Sequence, residues 1–220
     1  MIQNKLIPEP EAPEFARPQE IVNILIHAAG ILFGLLAIPL LITKSAVKDD
    51  GNGVASTCIY GACFLLLFTA STLYHISVRK KVRLFFRKLD RMSIYFMIAG
   101  TYTPIIWHYL YDSTGIALLC ILWGLVLIGI IFELFFPNRF NIFSVIAYLV
   151  MGLIFVFVPR HFFSALPPSV TALVISGVAC YAVGIIFYLW QKWLYHHAIW
   201  HALVLAGGVL HYVAVLKSVS

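Results

Sequence analysis

IVNILIHAAGILFGLLAIPLLIT, residues 21–43, carries no charged side chain and lies between Glu20 and Lys44. As an α-helix rising 1.5 Å per residue it is about 35 Å long, enough to cross a hydrocarbon core of about 30 Å. It reads as a transmembrane helix. Apolar runs of the same kind, bounded by charge, Gly or Pro, recur at about 54–78, 89–110, 115–136, 141–158, 170–191 and 197–216. The fifth is the shortest, while the second and third are long enough to tilt or to extend past the hydrocarbon. These runs predict an all-α integral membrane protein, a bundle of seven transmembrane helices forming one domain at 20–220.

Composition agrees. With 62% hydrophobic and 11% charged residues and a mean hydropathy of +0.95 over 220 residues, the chain lies outside the range of soluble globular domains. The bilayer is its solvent. Residues 1–19 are expected to form an irregular cytoplasmic tail, since Pro8, Pro10, Pro13 and Pro18 alternate there with Glu9, Glu11 and Glu14. That pattern is the opposite of a basic segment followed by an apolar core, so no cleavable signal peptide is expected and the first span serves as the insertion signal.

The net charge of +6 would suggest nucleic acid in a soluble protein, but seven of the fifteen basic residues fall between Arg79 and Arg91, where two apolar runs meet. That is a topology signal. Eleven basic residues lie on the N-terminal side of the predicted spans, against Lys44, Lys48, Arg160 and Lys217 on the other. The positive-inside rule therefore puts the N terminus in the cytoplasm and the C terminus outside. Cys58, Cys63, Cys120 and Cys180 all lie in apolar runs without CxxC spacing and read as small buried residues. Gly207-Gly208, and Gly124 with Gly129, read as places where helices approach closely.

Polar residues within spans are costly, so each is a functional candidate. His75 stands at the cytoplasmic end of the second span, with Ser71 one turn deeper on the same face. Asp90 opens the third span. His197 and His201 open the seventh with the same i, i+4 spacing, which points both imidazoles in one direction. Three distant segments thus place Ser71, His75, Asp90, His197 and His201 at one depth, roughly 5 to 15 Å in from the basic stretch. Neutral imidazoles bind zinc well, and three histidines with an open fourth position are the catalytic pattern. Asp90 is placed to handle a proton beside such a site.

Each piece also has a plainer reading. HxxxH suits two interhelical hydrogen-bonded histidines, Ser71 can bond back to its own helix, and Asp90 between Lys88 and Arg91 suits a helix cap paired with a cation. Asn23 and His27, four apart in the first span, read as interhelical hydrogen-bonding residues. His211 is about 21 Å along the helix from His197, too far to share a metal with it. His108 and His161 fall near the outer face, and His196 at the rim. Pro104 in GTYTP (100–104) predicts a kink, with the neighbouring threonines satisfying backbone groups. Glu133 is expected to snorkel toward water or pair with Arg139.

The segments STLYH (71–75), KLD (88–90), AGTYTP (99–104) and HAIWH (197–201) together resemble the bacterial hemolysin III proteins, which are related to the progestin and adiponectin receptors and to alkaline ceramidases. The resemblance covers about residues 20–216. It implies a multi-pass protein of the bacterial inner membrane, with zinc held near the cytoplasmic face by His75, His197 and His201. Asp90 would contact the zinc-bound water and Ser71 would lie beside it. The short N-terminal tail and compact loops depart from the hormone receptors. The leading expectation is a zinc-dependent hydrolase of lipid amides or esters, with membrane lipids as partners and substrate and no nucleic acid. The alternative is a non-enzymatic membrane factor with structural zinc, either a pore-forming hemolysin or a regulator of lipid composition.

Overall fold

A computed structural model describes residues 18–48, 52–135, 141–157, 159–190 and 192–219. The tail predicted at 1–19 lies outside these except for its last two residues, which already belong to the first helix. The described residues form eight α-helices and no strand: α1 (Pro18–Lys48), α2 (Asn52–Ile76), α3 (Lys80–Tyr109), α4 (Ser113–Phe135), α5 (Asn141–Gly152), α6 (Pro159–Ala165), α7 (Pro168–Leu189) and α8 (His196–Ser218). Five of them, α1, α2, α4, α7 and α8, are long and apolar enough to cross a membrane.

Two predicted spans differ from that list for physical reasons. α3 starts nine residues before the apolar run, because the stretch 80–88 is mostly Lys, Arg and Leu, which are good helix formers, and contains no Gly or Pro. The basic residues predicted as a loop are therefore its first turns. The run at 141–158 divides into α5, a short 3-10 turn at Ile154–Phe157 and then α6. Gly152 ends α5, and Pro159 restarts the chain at the first position of a helix.

The bundle is a ring. α1 packs on α2, α2 on α3, α7 on α8, and α8 closes back onto α1, while α4 lies outside α3 and α5 joins α3 to α7. Its outside is as apolar as its inside: on α1, Leu36 is 70% exposed while Leu41 is fully buried. A soluble helix would put charge at the outward positions. Cys58 and Cys120 also face outward, Cys180 is half-buried and only Cys63 is buried, so the expectation of four buried cysteines does not hold. Of the predicted close-approach glycines, Gly129 and Gly207 each lie against an aromatic ring, whereas Gly124 faces open space. α3 runs on through Pro104, with the hydroxyls of Thr101 and Thr103 donating to the Met97 and Ala99 carbonyls at 2.8 Å.

Candidate functional site

Four helix ends meet at one end of the ring. His75 lies in the last turn of α2 and is 4% exposed. Its Nδ1 donates to Glu20 Oε2 at 2.6 Å, and Glu20 Oε1 accepts from Arg83 Nη2 at 3.0 Å. Arg83 in turn lies over the Tyr74 ring, 4.7 Å from its centre. A carboxylate only accepts, so His75 Nδ1 carries a proton, and in the neutral ring that leaves Nε2 as the acceptor. That Nε2 hydrogen-bonds His201 Nε2 at 3.0 Å. Ligands of a tetrahedral zinc at normal Zn–N distances stand about 3.3 Å apart, so the two nitrogens are at a separation that a shared metal would suit.

His27 of α1 supplies a third nitrogen. One nitrogen from each of His27, His75 and His201 lies within 4.8 Å of the others, and all three residues are buried. His27 Nε2 also hydrogen-bonds Ser71 Oγ at 2.9 Å, which is the interhelical role expected of it. The ring of His197, half-buried, stands 4.3 Å from that of His201 and 5.5 Å from that of His75. Asp90 lies on the adjoining wall, beside Ser71 and His75. Ser71, His75, Asp90, His197 and His201 thus lie near one another, but the nitrogens within metal-binding distance come from His27, His75 and His201, with His27 in the place expected of His197. His27 could be found from its depth in the first span, but Glu20 and Arg83 could not, because their role exists only once α1 and α3 flank α2.

The donor set suits zinc or a similar borderline metal: imidazoles, one of them oriented by a carboxylate as metal-bound histidines commonly are. The group opens on a cavity of about 110 Å³ running between α3, α5, α7 and α8. His27, Ser71, Asp90 and His201 line its polar end. Beyond them the wall is largely apolar, with Ile105, Leu153 and Val174 among its residues.

The remaining polar residues separate from this group. Glu133 does not snorkel, and the expected pairing with Arg139 falls outside the described residues. It is 3% exposed, pairs with Arg91 Nη2 at 2.8 Å and accepts from Ser144 at 2.9 Å. His161 pairs with Asp112 at 2.7 Å in the connection at the opposite end, and His196 Nδ1 donates to the Phe187 carbonyl at 3.2 Å. His211 is bonded to the Val174 carbonyl, away from the cluster.

An all-helical bundle, apolar outside, with buried histidines gathered at one end of an apolar cavity, defines a multi-pass membrane protein with a candidate intramembrane metal centre. The chain belongs to the haemolysin-III related family, whose pattern it matches over residues 15–212. It is 38% identical to the Hemolysin-3 homolog of Bacillus subtilis (strain 168), covering 92% of this chain and 95% of the relative. It is 36% identical to Hemolysin-3 of Bacillus cereus, covering 90% of each. The monocyte to macrophage differentiation factor of Homo sapiens is 28% identical, over 87% of this chain and 83% of that protein.

Proposed function

We propose that this chain is a zinc-dependent hydrolase of lipid amides or esters, working inside a cell membrane that it crosses seven times. α5 and the turn after it make the fifth crossing. The N terminus is cytoplasmic, so the histidines lie in the cytoplasmic half of the bilayer. The observation that carries the reading is the opening of the histidine cluster directly onto an apolar cavity, which suits a carbonyl at one end and an acyl chain at the other.

His75, His197 and His201 would hold the metal. His75 is aimed by Glu20, His197 and His201 share a helix face, and His27 stays on Ser71. Loss of zinc in His27→Ala with retention in His197→Ala would reassign the third ligand. Bound zinc supplies Lewis acidity, polarising the carbonyl and acidifying a water. Asp90 accepts the proton of the attacking water and returns it to the leaving nitrogen or oxygen as the acyl bond breaks, which yields a fatty acid and an amine or alcohol. Ser71 holds His27 and borders Asp90, fixing the polar end while the apolar wall keeps bulk water away.

The test is turnover of lipid amides and esters by the purified chain in nanodiscs. Products should appear with zinc and vanish on chelation or in Asp90→Ala with the fold intact. Product formation insensitive to zinc removal would sink the proposal. A pore is the competing reading, favoured by the name of the Bacillus cereus relative. It needs a continuous polar path through the full thickness, whereas the cavity lining here is largely apolar, with Leu67, Ile94, Ile105 and Val174 among its residues. Liposome leakage unaffected by His197→Ala would reverse the ranking.

A further inference from the structure

Ten residues along α8 from His201, about 15 Å at the α-helical rise, the same cavity is lined by a second polar pair. His211 comes from α8 and Tyr181 from α7. The rings meet edge to face with centres 5.3 Å apart. Reciprocal glycines seat them: a Cβ on Gly177 of α7 would stand 2.3 Å from the His211 ring, and one on Gly207 of α8 would stand 2.7 Å from the Tyr181 ring. Each helix lacks a side chain where the other's ring lies, so the pair is held in place by the closest part of the α7–α8 contact.

The hydrogen bonding of the pair is incomplete. His211 Nε2 donates to the Val174 carbonyl at 3.2 Å, which leaves Nδ1 of the neutral ring as an acceptor. That Nδ1 and the Tyr181 hydroxyl are buried and have no hydrogen-bond partner, and His211 as a whole is 5% exposed. Buried polar groups are normally paired, so an orphan acceptor and an orphan donor on two touching rings that line one cavity point to something that enters the cavity.

We propose that His211 and Tyr181 form a subsite for a hydroxyl group carried partway along a lipid chain. A hydroxyl donates one hydrogen bond and accepts another, so it is the group whose chemistry matches both Nδ1 and Tyr181. A carbonyl or carboxylate only accepts and leaves Nδ1 unpaired. A plain hydrocarbon leaves both unpaired. The spacing from the histidine cluster puts the hydroxyl near the middle of the chain. The inference rests on the reading that a lipid lies in this cavity with its head group at the histidines.

The probe pair is ricinoleic acid and oleic acid, which differ only in the mid-chain hydroxyl, bound to the full chain in nanodiscs. Ricinoleic acid should bind about ten-fold tighter. Tyr181→Phe should bring the two within about two-fold of each other by weakening ricinoleic acid alone, and His211→Leu should do the same. Equal affinities in the wild type would overturn the subsite and leave chain binding intact, with water as the occupant of the pair. Failure of both acids to bind would overturn the lipid cavity and the subsite with it. The wild-type comparison decides by itself, whatever the stability of the variants.

Discussion

Two buried polar clusters lie near each other, and they differ in whether their hydrogen bonding is closed. Around Arg91 every partner is matched: the guanidinium meets Glu133, Ser144 accepts from Arg91 and donates to Glu133, and the Tyr148 hydroxyl donates to the Arg91 carbonyl at 2.9 Å. Around His75 the matching is incomplete: Nδ1 meets Glu20 and Nε2 meets His201, but His27 Nδ1 and the Nε and Nη1 of Arg83 are buried with no hydrogen-bond partner. The closed cluster clamps α3, α4 and α5. The open one gathers a nitrogen from each of His27, His75 and His201 within 4.8 Å of the others, the closeness a shared metal requires.

Four experiments would break or sharpen this contrast. Asp90→Asn should cost between about 10² and 10⁴ in lipid turnover while metal content stays unchanged, because it removes proton transfer and no ligand. Turnover near wild type would remove Asp90 from the chemistry. Glu133→Gln leaves Arg91 buried without its counter-charge and should cost about 3–5 kcal/mol of stability. Thermal unfolding in detergent should show this, with metal retained in the folded fraction; metal loss at full stability would mean the clusters are not separate. Glu20→Gln should weaken metal affinity about 10- to 100-fold by releasing the orientation of His75, read by competition with a chelator. An unchanged affinity would reduce Glu20 to a helix tether.

The smallest effect is expected at the opposite end of the bundle. The Gly115 backbone N–H, and then His161, hold the Asp112 carboxyl below its ordinary value of 3.8. A lowered carboxyl contributes stability above the unfolded value and loses it as pH falls through the folded one. Asp112→Asn should therefore lower the unfolding temperature slightly at neutral pH, and the difference should disappear in strong acid. A difference that grew in acid would contradict the pairing.

Much of this was legible along the chain because the bilayer imposes a length and a polarity on each helix. α1, α2, α4, α7 and α8 appear as uninterrupted apolar runs, and the i, i+4 spacing of His197 and His201 fixes their common face. What escaped depends on neighbours distant in sequence. Arg83 reads as one more topology charge until Glu20 meets it from α1, and Glu133 lies six residues from Arg139 in sequence yet pairs with Arg91 across the bundle. The break after α5 was not foreseen because the run Ile154–Phe157 is as hydrophobic as a helix interior. The depth of His27 in the first span puts it level with the other histidines and makes it a candidate, while its place in the cluster follows only from which face of α1 turns inward.

Zinc analysis of the purified wild-type chain beside His201→Ala tests the central claim most directly. The account predicts stoichiometric zinc in the wild type and none in the variant, with the helical signal of both intact. A wild type that holds no zinc when supplied with it, or a His201→Ala protein that retains it, would contradict the account.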